Sequence, residues 1–520
     1  MNLMGVTQGS NLRVFLRLAE LLKEPLGLSG VSAYVADSQE FHSLRHKEPM
    51  LAGSSVQLLK EWEIYREGLE RKPDWDTLLD WEARIGDPVL WNAIMADRRI
   101  FFGRKCKYRQ DYRPRFSHLQ MAGIMQAALE RIDEFLIHRS PDVIIGFGTS
   151  TLGDYLFYRF AKSRGIAYLQ LKATKIGNYV SLNDDAIALS GHIESLLNHP
   201  ENIPAASLQV AREHLASIRK KGVRYEGAIK SNVRLRPIYG LIAVSKGAIR
   251  DIRNQLRPEV RNDNHIENAM LGALYSYWIQ PLKAAYTSLR LRDNLIRQEQ
   301  LANQRCFAFY PLHFEPEVSL QVFGRPFQNQ IEVIRNLAAS LPCGMVVLVK
   351  EHPRALGFRP YGYYVKLLEI PNVRLVDPLL PTVAVIRRSS LVAVVSGSTG
   401  LEAAVMGKPV ITFGIPTYRR LPASMVREVR SMHALADDVR AALESHNLNY
   451  VELERYFAAH VAGAVPVDLY SVLLGKSGRH SEGRENMTVA ERLQEDYRRL
   501  TDYCVARIRY EVGKVIRHAD

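Results

Sequence analysis

No run of about 18 apolar residues occurs in the 520-residue chain, so no bilayer-spanning helix is expected. The first residues also lack a basic stretch followed by an apolar one and a small-residue cleavage site, which removes the expectation of secretion. Cysteine is scarce. Cys106, Cys306, Cys343 and Cys504 stand without pairing pattern or metal-ligand spacing, as in a protein of the reducing cytosol. There is no internal repeat, low-complexity tract or obvious flexible linker. An aromatic-and-basic recognition signature and a helix-turn-helix pattern are missing too, so nucleic acid is not an expected partner despite a formal charge of +14. That charge favours other polyanionic or acidic partners: a nucleotide-sugar, an acidic glycan, or the anionic face of the inner membrane. The length suggests two large domains, and a hydrophobic content of 47% can fill two cores.

What is present is alternation of strands and helices. A helix over 11–23 leads to a strand over 31–35 that ends at Asp37, half of a Rossmann-like unit. Residues 54–104 read as a polar helical insertion or outer layer with no assigned chemistry. A helix over 119–138 stops at Ser140 and Pro141, and a strand over 143–147 then opens the small loop Gly148-Thr149-Ser150-Thr151. This loop fits a cleft wall or a plain tight turn equally well. From 192 to 304 the pattern is helical, and its basic clusters at 219–224 and 290–297 read mainly as solvated faces. A long amphipathic helix over 489–516 follows at the end.

The second half begins with a strand over 306–310 and a loop in which two prolines fix the backbone around His313, Glu315 and Glu317. A strand over 345–349 ends abruptly in Lys350, Glu351, His352, Pro353 and Arg354. The most informative stretch is 392–414. Val392 to Val395 form an apolar β-branched run, broken by Ser396-Gly397-Ser398; Thr399 and Glu402 then have the spacing of a capping box. The helix opened there would point its positive end just beyond the strand, until Gly407-Lys408-Pro409 stops it. Ligands of open α/β sheets bind outside the carboxyl ends of strands, so neighbouring strand ends bearing cations and hydroxyls predict one anion pocket. Either element alone would serve equally in an ordinary capped βαβ unit.

The expected fold is therefore α/β, with two Rossmann-like domains facing a cleft, helical insertions and a C-terminal helix. An acceptor-side domain is expected over 1–300, a nucleotide-binding domain over 305–475, and a helical segment packing back on the first domain over 476–520.

The blocks FYPLHFEPE, VLVKEHPR and VSGSTGLEAAVMGKPVITFG, in that order, resemble the bacterial capsule polysaccharide biosynthesis family. The resemblance is best over 306–414 and looser in the first half, where it rests on PDVIIGFG. It implies a glycosyltransferase of the two-Rossmann-domain (GT-B) type, whose relatives transfer the acidic sugar Kdo from CMP-Kdo to a glycan or glycolipid acceptor. It also implies that His352 and the turn Ser396, Gly397, Ser398 and Thr399 hold the nucleotide phosphate, and that Glu402 bonds the ribose hydroxyls. Lys350, Arg354 and the helix dipole would stabilise charge on the departing nucleotide, so neither metal nor cofactor is expected. His313 and Glu317 are candidates for the base that takes the acceptor's proton, with a structural turn as the alternative. The carboxylate of a covalent mechanism is left open among Asp37, Asp154 and Glu317. A UDP-sugar or CDP-polyol donor, and a non-catalytic export or scaffold protein of the same fold, are the competing readings. The expected setting is the cytoplasm, with peripheral contact to the inner membrane or to other capsule assembly proteins.

Overall fold

Short β-branched runs, apolar on both faces, build two seven-stranded sheets in the computed structural model, which describes residues 1–519 except 54, 87–88, 102–113, 224–235, 258–259, 261–262, 264–265 and 477–486. Cys106 and parts of the 54–104 insertion and of the 219–224 cluster lie outside the described residues. The first sheet contains β1 (Asn2–Thr7), β2 (Gly30–Val35), β3 (Val56–Lys60), β4 (Val143–Gly146), β5 (Ala167–Ala173) and β6 (Tyr179–Asn183). The second contains β7 (Leu295–Ile296), β8 (Phe307–Pro311), β9 (Val346–Lys350), β10 (Val373–Val376), β11 (Leu391–Val394), β12 (Val410–Thr412) and β13 (Val426–Glu428). A last strand, β14 (Val465–Pro466), returns to the first sheet. The orders are β14-β6-β5-β4-β1-β2-β3 and β13-β12-β11-β8-β9-β10-β7. All pairings of the second sheet are parallel; in the first, only β6 runs against its neighbours. Alternate residues feed opposite cores, as the pleat requires: Met4 and Val6 against Leu3 in β1, Phe307 and Phe309 against Ala308 and Tyr310 in β8.

The helices that matter for the site and the surface are α1 (Asn11–Leu26), α2 (His118–Arg139), α3 (Leu152–Ser163), α4 (Pro237–Gln255), α5 (Ala269–Leu274), α6 (Gln280–Leu291), α7 (Ser398–Val405), α8 (Tyr450–Ala462) and α9 (Val489–Ala519). Thr151 caps α3 by accepting the Asp154 amide at 3.1 Å, and buried Asp97 accepts the Leu152 amide at 3.0 Å. The insertion thus holds the loop after β4 from behind instead of forming only an outer layer, and it supplies β3 to the sheet.

The chain crosses the expected domain limits in both directions. β7 joins the second sheet before residue 300, and helices Gly191–Asn198 and Ala205–Lys221 bury Ile193, Leu215 and Ile218 in a core shared with Tyr456 and Phe457 of α8. β14 pairs with the free edge of β6 from beyond residue 460. In α9, Tyr497, Leu500, Cys504 and Ile508 share a core with Leu12, Phe15 and Leu16 of α1. Apolar stripes and an open strand edge decide these placements, because each must be covered whichever half of the chain supplies the cover.

One buried ion cluster fixes the tips of the second sheet. Arg359 has no exposure to water; it pairs with Glu351 at the end of β9 and with Glu315 after β8, the latter at 3.3 Å, and also donates to the carbonyl of His313. Tyr364 donates its hydroxyl to Glu351 at 2.8 Å. Carboxylates and guanidinium this deep tolerate burial only as a set, since removal of one partner leaves uncompensated charge. Arg359→Ala should therefore cost about 3–5 kcal/mol, read as an earlier calorimetric transition of the full chain. A variant melting with the wild type would show that the two carboxylates do not depend on the guanidinium.

Candidate active site

A cleft of about 400 Å³ opens between the two domains, beyond the carboxyl ends of β4, β5 and β11. From the second domain it is lined by Ser396, Ser398, Glu317 and the segment after β12 that ends in Tyr418. From the first it is lined by the loop Gly148 to Ser150 and by Lys172 and Lys175. Among the described residues no group of three or more His, Cys, Asp or Glu side chains is placed to hold a metal ion.

The turn after β11 is built by its neighbours. The Ser396 amide donates to Nε2 of His313 at 3.2 Å, and the Ser396 hydroxyl donates to the Ser319 carbonyl at 2.6 Å. Tyr418 donates its hydroxyl to the Gly397 carbonyl at 2.6 Å. Gly397 has an ordinary φ of −73°, so its need for glycine comes from packing: a Cβ there would lie 3.0 Å from His313 Nε2. The expected capping box does not form. Helix α7 starts two residues early, at Ser398, with Gly397 as its cap and no side-chain cap bond; Glu402 then stands too far into the helix to reach back. Ser398, in the first turn, is the helix-end residue that faces the cleft.

Several predicted site residues therefore have other employment. His313 is buried against the turn, burial depresses its pKa to about 4, and it acts as a neutral acceptor behind the cleft wall. It positions Ser396 and does not line the cleft. Glu402 points its carboxylate at the Val223 amide, and burial raises its pKa to about 7; it is not a cleft residue either. Thr399 is likewise absent from the lining. The tip bearing Lys350, His352 and Arg354 is not adjacent to the hydroxyl turn, because β8 lies between β9 and β11, and none of the three lines this cleft. Lys350 is buried, and burial lowers its pKa to about 8 against the pull of Glu351 and Asp377. His352 uses Nδ1 to accept the Arg354 amide at 3.2 Å; desolvation by the protein around the ring, and then the charges of Arg354 and Lys350, lower its pKa to about 4. Arg354 lies over the Phe314 ring.

Glu317 is the predicted base that does face the cleft, where it accepts the Ser319 hydroxyl at 2.9 Å. Of the other carboxylates, Asp37 caps the helix Ser38–Leu44, and Asp154 is buried beneath the loop after β4 with its pKa raised to about 7 by burial.

Sequence reasoning missed Lys172, Lys175 and His460. Lys172 lies 4.8 Å over the Phe323 ring, and burial with the nearby Lys175 lowers its pKa to about 8. Lys175 stands on a left-handed backbone position (φ 66°); crowding by protein lowers its pKa while Glu317 opposes the shift. His460 donates Nδ1–H to the Tyr456 carbonyl at 2.8 Å, which leaves Nε2 as a buried acceptor without a partner among the described residues. The left-handed backbone at Lys175 marks this place in the structure, and backbone angles are invisible in a sequence.

Comparison with known proteins places residues 246–430 in a match to the family described as capsule polysaccharide biosynthesis protein. No curated protein matches the chain. Among solved structures, KpsC of Thermosulfurimonas dismutans, β-Kdo 2,7 transferase, is similar at 12% identity over 70% of this chain and 89% of that one, with a TM-score of 0.36. The β-Kdo 2,4 transferase of the same KpsC gives 14% identity, 65% and 84% coverage and a TM-score of 0.35. UDP-GlcNAc 2-epimerase of Neisseria meningitidis, bound to UDP-GlcNAc, gives 14%, 88% and 94%, and 0.25. The resemblance to the capsule polysaccharide biosynthesis family thus holds over residues 246–430, the segment that contains all three recognised sequence blocks.

Proposed function

We propose that this chain is a glycosyltransferase of capsule or surface polysaccharide biosynthesis, transferring an acidic sugar, Kdo from CMP-Kdo, to a glycan or glycolipid acceptor. The observation that carries the reading is the interdomain cleft in which a helix N-terminus and Ser398 stand with two lysines of the opposite domain. A CMP-linked acidic sugar brings a phosphate and a carboxylate, and two ammonium groups with a helix end match two anions. In this reading Lys172, Lys175 and Ser398 hold them, replacing the cations expected on β9. An acceptor hydroxyl attacks the anomeric carbon, the bond to the phosphate oxygen breaks, and CMP leaves with the electron pair. Glu317 takes the hydroxyl proton. Peripheral contact with the inner membrane belongs to the same reading, because a lipid-linked acceptor is held there.

A ligand that binds only the native state stabilises it by about 2.7 kcal/mol at a hundredfold excess over Kd. CMP should therefore raise the melting temperature and UDP should not; the reverse would assign a uridine donor. Lys172→Met should weaken CMP binding by roughly tenfold to a hundredfold, the worth of a charged hydrogen bond, whereas His352→Ala should leave it nearly unchanged. Loss of binding only in the His352 variant would move the nucleotide to the β9 tip.

Affinity for CMP should fall as pH rises through about 8, where Lys172 loses its proton. The ammonium is the binding form and is fully present well below that value. Calorimetric titration across this range checks it, and a flat profile would remove Lys172 from the phosphate site.

A further inference from the structure

The large apolar side chains of α4 point away from the protein. Ile238, Leu241, Ile242, Ile249 and Ile252, with Leu256 just beyond the helix, are between 49% and 78% exposed. At 3.6 residues per turn these six fall within an arc of roughly 100°. The partnered face is the one with small residues: Gly240 and Gly247 are the buried positions of α4, and a Cβ on Gly247 would lie 2.7 Å from the Met270 amide nitrogen. Glycine thus lets α4 lie backbone to backbone on α5, and the aliphatic stripe is left over. This inverts the usual burial of an amphipathic helix.

Charge is distributed just as unevenly. Lys246, Arg250, Arg253 and Arg257 are exposed and share one flank of the stripe. Asp251 is the one acid within α4, and its carboxylate accepts the Ala269 and Met270 amides at 2.8 and 2.9 Å, on the α5 side. A second exposed stripe, Leu282, Tyr286 and Leu289, occupies one face of α6. No described helix is long and apolar enough to cross a membrane.

We propose that α4 lies in the plane of an anionic lipid surface, with its aliphatic stripe among the acyl chains' outer segments and its cationic flank against lipid phosphates. A basic flank without free acid beside branched aliphatics is the pattern of an in-plane interfacial helix. A second copy paired antiparallel through the same stripe would bring like-charged flanks together, which is unfavourable. The inference deepens the membrane-contact part of the proposed function and is independent of the donor.

The test is co-sedimentation of the full chain with vesicles of phosphatidylcholine alone or mixed with phosphatidylglycerol. The wild type should pellet with the mixed vesicles, release in high salt and stay in solution with phosphatidylcholine. Ile249→Glu with Ile252→Glu, and separately Arg250→Glu with Arg253→Glu, should each lower vesicle affinity at least about tenfold. Both double variants should keep the wild-type melting temperature and its CMP-dependent shift. A wild type that ignores anionic vesicles, or an Ile249/Ile252 variant that pellets normally, would overturn the proposal. So would a dimer that this variant dissolves in the absence of vesicle binding, since the stripe would then belong to a second copy. Vesicle binding without any CMP shift would support the docking surface and count against the donor reading alone.

Discussion

A guanidinium shut away from water ties together the strand tips on which the second domain's architecture turns. Arg359 pairs with Glu315 after β8 and Glu351 after β9, and it takes the carbonyl of His313, whose ring accepts the amide of Ser396 after β11. The three blocks recognised in the sequence are therefore linked physically by one charge and one neutral imidazole. Buried charges of this kind contribute little net stability over an apolar core, but they penalise every arrangement that separates them. What they secure here is position: the turn that opens α7 cannot shift without breaking the His313 contact.

This arrangement divides labour between conserving geometry and meeting a ligand. Glutamates and a histidine that look chemical in the sequence are occupied inside the domain, and the surfaces that remain open are a hydroxyl, a helix end and one carboxylate. The cations that face them across the cleft, Lys172 and Lys175, come from the other domain, on β5 and the loop after it. The cleft is built from two complementary halves, because the two lysines stand on one wall and the start of α7 stands on the other. Contacts such as Lys172 over Phe323 and Arg325 over Tyr155 already join the two walls.

Strands β8, β9 and β11 of the second sheet were legible, since they are short apolar runs bounded by clear stops; β7 and β13, of two and three residues, were not. Helices α1 and α2 and strands β2 and β4 were legible for the same reason. Strands β1 and β3 were not: β1 contains Gly5, required because a Cβ there would meet the Phe15 ring at 2.6 Å, and β3 sits inside a polar helical stretch. At the site, the turn at 396–398 was recognisable from its residues, but the capping box was not real because the helix began at Ser398. Sheet order was the larger gap. Two strands with polar ends need not be neighbours in the sheet, and β8 inserted between β9 and β11 moved the expected cations away. Lys172 and Lys175 look like ordinary surface charges until a second domain is placed over them.

The most direct measurement is a crystal structure with CMP bound. The account predicts its phosphate within hydrogen-bond reach of the first turn of α7 and of Lys172 or Lys175. Electron density placing the phosphate on His352 and Arg354 at the end of β9, with the interdomain lysines untouched, would contradict it.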